Sequence, residues 1–218
     1  MPSLYWSRFL VTITLLACSS LAAAQCGPGC PACSGGASET ILDPYMVKGS
    51  VLVLPDGEEE TAVFNLAGTV LPRLELGVGY ARESEQTIWI AKLEAVAERK
   101  DSWRPAVILG TGSVETGGSD QSGFLLLFKE VPLDNDFTLG LSGGYAADVP
   151  DFAESFGLAS LSVIFREKVA PFYNYDGRSS HAGLTWYAAE WLQLTGFALE
   201  METLALSVGI KKTILNTP

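Results

Sequence analysis

Three cysteines form the sharpest local motif in the chain. Cys26, Cys30 and Cys33 lie in Cys26-Gly27-Pro28-Gly29-Cys30-Pro31-Ala32-Cys33. Three thiolates at this spacing could wrap one soft metal ion or an iron–sulfur cluster, because Gly and Pro allow a tight loop. No fourth ligand stands nearby, and His181, the single histidine, is far downstream. Oxidation competes with metal binding. A Cys-x2-Cys or Cys-x3-Cys disulfide would leave one thiol over, or the thiols would pair between molecules. The disulfide is the preferred reading and metal the second, so no cofactor is expected.

His181 has Ser179, Ser180 and Asp176 close by. These are the residue types of a hydrolytic triad. One strand face, however, cannot present all three in a hydrogen-bonded line. Loop solvation or a polar contact inside the fold explains them better, and the chain is not read as an enzyme. The acidic run Asp56-Gly57-Glu58-Glu59-Glu60 lacks the alternating ligands of a calcium loop and reads as a solvated hairpin. Thr111-Gly112 through Gly117-Gly118-Ser119-Asp120 follows no phosphate-cradle spacing and precedes a strand, so it reads as a flexible outer loop.

The elements that would position these groups begin after an export signal. Arg8 precedes the apolar run from Phe9 to Ala17, and Leu21-Ala22-Ala23-Ala24 has the small-residue cleavage pattern. The run is shorter than the ~20 residues a spanning helix needs. Residues 1–24 are therefore expected to be a signal peptide. A lipoprotein box at Leu15-Leu16-Ala17-Cys18, lipidated on Cys18, is the rival. A leader rich in Cys, Gly and Pro follows over 25–44, and a single β-domain over 45–218.

Charge narrows the partners. The 14 Lys and Arg, less Arg8, face 25 Asp and Glu. Nucleic acid is excluded as a partner, because phosphate binding needs clustered bases. The same balance disfavours an electrostatic anchor on anionic lipid. Yet 48% of residues are hydrophobic and the mean hydropathy is +0.24. After residue 24 the longest apolar runs are short, such as Phe124 to Phe128. So apolar a chain without a spanning helix has either a large soluble core or lipid-facing strands.

The period is two. Leu74, Leu76, Val78 and Tyr80 alternate with Glu75, Gly77, Gly79 and Ala81. Phe137, Leu139, Leu141, Gly143 and Tyr145 alternate with Thr138, Gly140, Ser142, Gly144 and Ala146. Leu204, Leu206, Val208 and Ile210 do so with Ala205, Ser207, Gly209 and Lys211. Residues 86–98 read as a strand despite helix-forming composition, because Thr87-Ile88-Trp89-Ile90 is β-prone and the charges from Lys92 to Glu98 fall on even positions. About twelve strands result. Short turns fall at 71–73, 99–102, 131–136, 166–168 and 189–191. Looser loops fall at 55–60, 83–86, 112–122, 148–155, 177–180 and 201–203.

This asymmetry points to an all-β, antiparallel up-and-down barrel of about twelve strands, transmembrane and of outer-membrane type. Both termini would lie at the tight rim, facing the periplasm. Tyr80, Trp103, Phe137, Tyr145, Phe165, Tyr173, Tyr175, Trp186 and Trp191 cluster at strand ends, as interfacial girdles do. The small and polar phase would face a narrow lumen. Glu75, Lys92, Glu94, Glu98, Lys129, Arg166, Asp176, His181 and Lys211 are assigned to it. They could form a salt-bridged plug or a selective pore, and the narrow lumen of about twelve strands favours the plug.

The stretch from Gly49 to Ile214 resembles the YjbH-type outer-membrane barrel family. The resemblance rests on Leu71-Pro72-Arg73-Leu74-Glu75-Leu76-Gly77, Ala91-Lys92-Leu93, Arg104-Pro105-Ala106-Val107 and Phe128-Lys129 before Leu139-Gly140. It continues with Tyr173-Asn174-Tyr175-Asp176-Gly177, Ala182-Gly183-Leu184 and Ser207-Val208-Gly209-Ile210. The chain departs from the family in having room for one barrel, and in closing on Asn216-Thr217-Pro218 where many such barrels carry an aromatic. The resemblance implies an envelope barrel linked to exopolysaccharide production. Its partners would be outer-membrane lipid and polysaccharide export machinery. Two alternatives stay open: a soluble or lipid-anchored periplasmic barrel that binds an apolar ligand, and an envelope redox or metal-handling protein that uses the cysteine leader.

Overall fold

Strands that alternate in polarity leave unpaired N–H and C=O groups at any open edge, and closing the sheet removes both edges. The computed structural model describes residues 45–55, 62–99, 102–114, 116, 120–152 and 154–214. The expected export signal, the leader with Cys26, Cys30 and Cys33, and the acidic run 56–60 lie outside them. The described residues form β1 (Met46–Val53), β2 (Ala62–Leu71), β3 (Leu74–Ala81), β4 (Gln86–Val96), β5 (Ala106–Gly112) and β6 (Ser122–Pro132). They continue as β7 (Phe137–Asp148), β8 (Ser155–Phe165), β9 (Val169–Tyr175), β10 (Ser180–Ala189), β11 (Leu192–Leu199) and β12 (Thr203–Thr213). Each strand pairs antiparallel with its neighbour in sequence, and β12 returns to β1, from Met46 opposite Thr213 to Val53 opposite Leu206. The result is a closed, up-and-down, twelve-stranded barrel.

The outward phase is apolar around the whole circumference. Leu66, Leu76, Leu93, Leu109, Leu125, Leu141, Leu161, Leu184 and Leu206 are each 37–50% exposed. Exposed aromatics bracket this belt. Trp103, Phe137, Trp186 and Trp191 lie toward the tight-turn rim, and Tyr80, Trp89, Tyr145, Tyr173 and Tyr175 toward the loop rim. In the described strands, the only charged residues in the outward phase are Lys129, opposite Leu141, and Lys212, opposite Val47. Both lie near the turn rim. Strands of 7 to 12 residues match the ~9–11 that a tilted transmembrane strand needs. A soluble barrel would leave this unbroken apolar belt in water. The architecture is that of an outer-membrane barrel.

Two strands are short, β5 and β9. β5 has 7 residues between neighbours of 11, so it leaves the loop end of β4 and the turn end of β6 unpaired. Side chains replace the missing ladder bonds. At the loop end the Gln121 amide accepts from Trp89 N–H at 2.9 Å and donates to Trp89 O at 2.8 Å. At the turn end Glu98 Oε1 accepts from Glu130 N–H at 2.9 Å. Buried or lipid-facing backbone groups need such partners.

Two connections differ from the sequence expectation. Residues 201–203 were expected in a looser loop. Instead Glu200 and Met201 (φ 53° and 63°) form a two-residue turn closed by Glu202 N–H on Leu199 O at 2.9 Å. Two consecutive positive φ values match the right-handed twist of the strands, which makes this the tightest hairpin geometry. The segment after Gly112 is not a flexible outer loop in its described part. Ser113, Val114 and Thr116 are buried, and Val114 packs on Ile108, Phe124 and Leu126 inside the barrel.

The outward phase yields a direct test. Leu141→Arg places a charge in the apolar belt and should cost ~2–4 kcal/mol if it lies near the bilayer midplane. Leu141→Ala should cost well under that. Denaturant unfolding of the reconstituted variants measures both, and equal effects would contradict the lipid-facing assignment.

Candidate functional site

The inward phase divides along the axis. Its middle and loop-side part holds large apolar side chains, with Ser50, Asn65, Ser160 and Asn174 buried among them. Leu52, Leu54, Phe172, Phe197 and Ala205 form one cluster, Val63, Ala81, Ile88 and Ile90 another, and Val114 caps a third. Inward glycines make room for the rings. A Cβ on Gly110 would collide with the Phe124 ring, and one on Gly183 with Phe197 and Phe172. The expected lumen of small and polar residues is therefore only partly found. Leu52, Ile88, Phe124 and Leu126 are apolar on the inner face as well, and they fill it.

The turn-side part is polar. Glu75 bridges two lysines: Lys48 Nζ lies 3.1 Å from Oε2 and Lys92 Nζ 3.2 Å from Oε1. All three groups are largely buried there, where breaking a pair is far costlier than at a surface. Register explains their meeting. Glu75 stands opposite Lys92 on β4 and Thr69 on β2, and Lys48 lies one strand further. Lys211 is directly opposite Lys48, and the buried Glu94 lies one inward step beyond Lys92. Thr185 and Thr195 share a hydrogen bond at 3.0 Å on the far wall. At the turn rim this region opens into a vestibule of about 470 Å³, lined by Glu130, Thr138, Ile164, Tyr187, Lys211 and the turns at 166–168 and 188–190.

Of the nine residues assigned to the lumen, Glu75, Lys92, Glu94 and Lys211 lie in the inward phase of this turn-side half. Asp176 and His181 are buried at the opposite end. Three stand elsewhere. Lys129 is in the phase of Leu125 and Leu127, opposite Leu141, and reaches along the rim to Glu98 at 2.8 Å. Glu98 follows a register shift between Glu94 and Val96, which reverses the parity its even number suggested. Arg166 lies in the β8–β9 turn at φ 49°, on Asp136 at 3.0 Å and over the Phe165 ring. Sequence reading missed Lys48 and Glu130. Both sit in segments where apolar residues occupy both phases, so alternation gave no sign of direction.

Asp176 organises the loop end. Its Oδ2 accepts from Thr116 N–H at 2.8 Å and meets His181 Nε2 at 2.7 Å, and Oδ1 accepts from Ser179 N–H at 2.9 Å. Glu200 N–H donates to His181 Nδ1 at 3.0 Å, so Nε2 carries the proton and donates to Asp176. Both ring nitrogens are occupied. Ser179 Oγ donates to Glu200 Oε1 at 2.7 Å, and Ser180 Oγ shares a hydrogen bond with Tyr173 OH at 2.7 Å. Neither serine lies on the imidazole, so these residues form no nucleophile–base pair. They form a structural clasp that holds Thr116, and Val114 beside it, in the mouth of the barrel.

Burial pushes the Asp176 carboxyl up. The hydrogen bonds from His181, Thr116 and Ser179 outweigh it and hold the group at about 2, below its ordinary 3.8. A depressed carboxylate stabilises the fold above its ordinary range and ceases to do so as pH falls through the folded value. The clasp should therefore weaken between about pH 4 and pH 2, by on the order of 2 kcal/mol. Amide exchange at Thr116 and Ser179 should accelerate across that window. Asp176→Asn should show fast exchange already at neutral pH and no acid step. An unchanged acid step in that variant would mean that another group controls the loop.

No protein-family model matches the chain, and no curated protein matches it. Among solved structures it is similar to a KdgM porin, at 13% identity over 78% of this chain and 99% of that chain, with a TM-score of 0.49.

Proposed function

We propose that the chain is an exported barrel of the bacterial outer membrane, with a structural or gated transport role accessory to polysaccharide export. The observation that carries the location is the continuous apolar belt between two aromatic girdles, charged in the described strands only at Lys129 and Lys212 near one rim. Export follows from the N-terminal signal read in the sequence. The link to polysaccharide rests on the YjbH-type resemblance. The cysteine leader belongs to the same exported chain and carries no separate role in this reading.

The lumen argues against a freely open pore. Rings from Phe124, Phe172 and Phe197 occupy its middle, and Val114 closes the loop end. The turn-side vestibule supports entry from the periplasm as far as Lys211, which stands opposite Lys48. A closed resting state is the reading that fits both halves.

Cell fractionation with heat-dependent gel mobility tests the location. The protein should sediment with outer membranes and migrate differently before and after boiling. Release by osmotic shock would contradict it. Planar-bilayer recording tests the closed lumen. The native barrel should be almost silent, and Phe124→Ala combined with Phe197→Ala should raise conductance. Removing large core rings costs about 3–5 kcal/mol each in soluble cores, so folding is confirmed first by mobility. A large steady conductance of the native barrel would overturn the closed reading while leaving its location intact.

A further inference from the structure

The net charge of the chain is strongly negative, but the charge is not spread evenly. On the loop rim, Glu83, Glu85, Asp151, Glu154, Glu200 and Glu202 outnumber Arg82 and Arg178. The turn rim is different. Its described acids are engaged or turned inward: Glu98 binds Lys129, Asp136 binds Arg166, and Asp134 accepts from Phe137 N–H. Glu130, Glu167 and Glu190 line the vestibule. Arg166, Lys168 and Lys211 line it too, and four further bases stand around the rim. Arg73 is in the β2–β3 turn, Arg99 and Arg104 in the β4–β5 connection, and Lys212 at the end of β12. All four are exposed. They span the six neighbouring strands from β12 through β1 to β5 in the barrel order. Trp103, 82% exposed, stands among them.

We propose that this arc is a docking surface for anionic phospholipid head groups in the leaflet at the turn rim. The proposal rests on the transmembrane reading above and deepens it. Lys212 belongs to the outward phase, opposite Val47. Its side chain rises past acyl chains to the level of the lipid phosphates and snorkels into it. Arg73, Arg99 and Arg104 border the same level from the turns, and Trp103 supplies the amphipathic ring favoured at that depth. Each base near an anionic surface contributes about 1 kcal/mol. The opposite rim, by its charge, repels the same head groups. The arc therefore fixes which rim meets the phospholipid leaflet, although the chain as a whole is acidic.

The test uses the full mature chain in vesicles of phosphatidylcholine with a minority of phosphatidylglycerol. Spin-labelled forms of each lipid report their association with the folded barrel. Phosphatidylglycerol should be enriched around it about threefold or more, and high salt should abolish the enrichment. Arg73→Gln, Arg104→Gln and Lys212→Gln combined should bring the ratio near one with heat-dependent mobility unchanged. Equal association of the two lipids with a folded, inserted native barrel would overturn the proposal and leave the barrel reading intact. So would an enrichment that survives the triple substitution. Failure to insert in either lipid, with the chain remaining folded in solution, would overturn both.

Discussion

The pairing of β12 with β1 is the interaction on which the rest of the structure depends. In hydrocarbon each unsatisfied N–H or C=O costs several kcal/mol, so an open sheet with two edges cannot stand there. Closure through eight cross-strand pairs, from Met46–Thr213 to Val53–Leu206, removes both edges. It also fixes parity around the ring, because each paired position must share a face with its partner. The side chains of Gln121 and Glu98 extend the same requirement to the short β5, completing backbone bonds that the ladder leaves open.

Once parity is fixed, two environments follow. The outward phase must be apolar wherever lipid touches it, and its exceptions gather at one rim. The inward phase is not held to that rule. It divides into a packed half, where phenyl rings rest over glycines, and a polar half, where Glu75 holds Lys48 and Lys92. A buried ion triad needs each member to offset the desolvation of the others, so it stands only where register brings all three together. The Asp176–His181 clasp acts at the other end. It seats Thr116, and with it Val114, over the apolar half. The barrel is thus filled from within by its own strands and one inward-turned loop.

Much of this was legible in the sequence. Clean alternation at Leu74–Ala81 and at Phe137–Tyr145 marked strands and gave their faces correctly, and the turn residues gave the order of connections. Three features were hidden, each for a physical reason. A bulge is one residue long and carries no composition, so the shift between Glu94 and Val96 turned Glu98 unseen. Where both phases are apolar, as around Phe124 to Phe128, period two vanishes, so Lys129 was placed in the lumen although it stands in the outward phase, and the inward Glu130 was missed. The inward path of Val114 depends on a carboxylate 62 positions away, at Asp176. No local pattern reports such a contact.

The central claim is that one phase of every strand faces lipid while the other is enclosed by protein. Depth-resolved labelling of adjacent positions tests it most directly. Single cysteines replace Leu206 and, separately, Ser207 in a chain whose native cysteines are changed to serine, reconstituted in a bilayer. The Leu206→Cys thiol should react with a lipid-soluble maleimide and resist a charged one. The Ser207→Cys thiol should resist the lipid-soluble reagent, because Ser207 lies inside the barrel. Equal reaction of both thiols with the charged reagent, or protection of Leu206→Cys from both, would contradict the account.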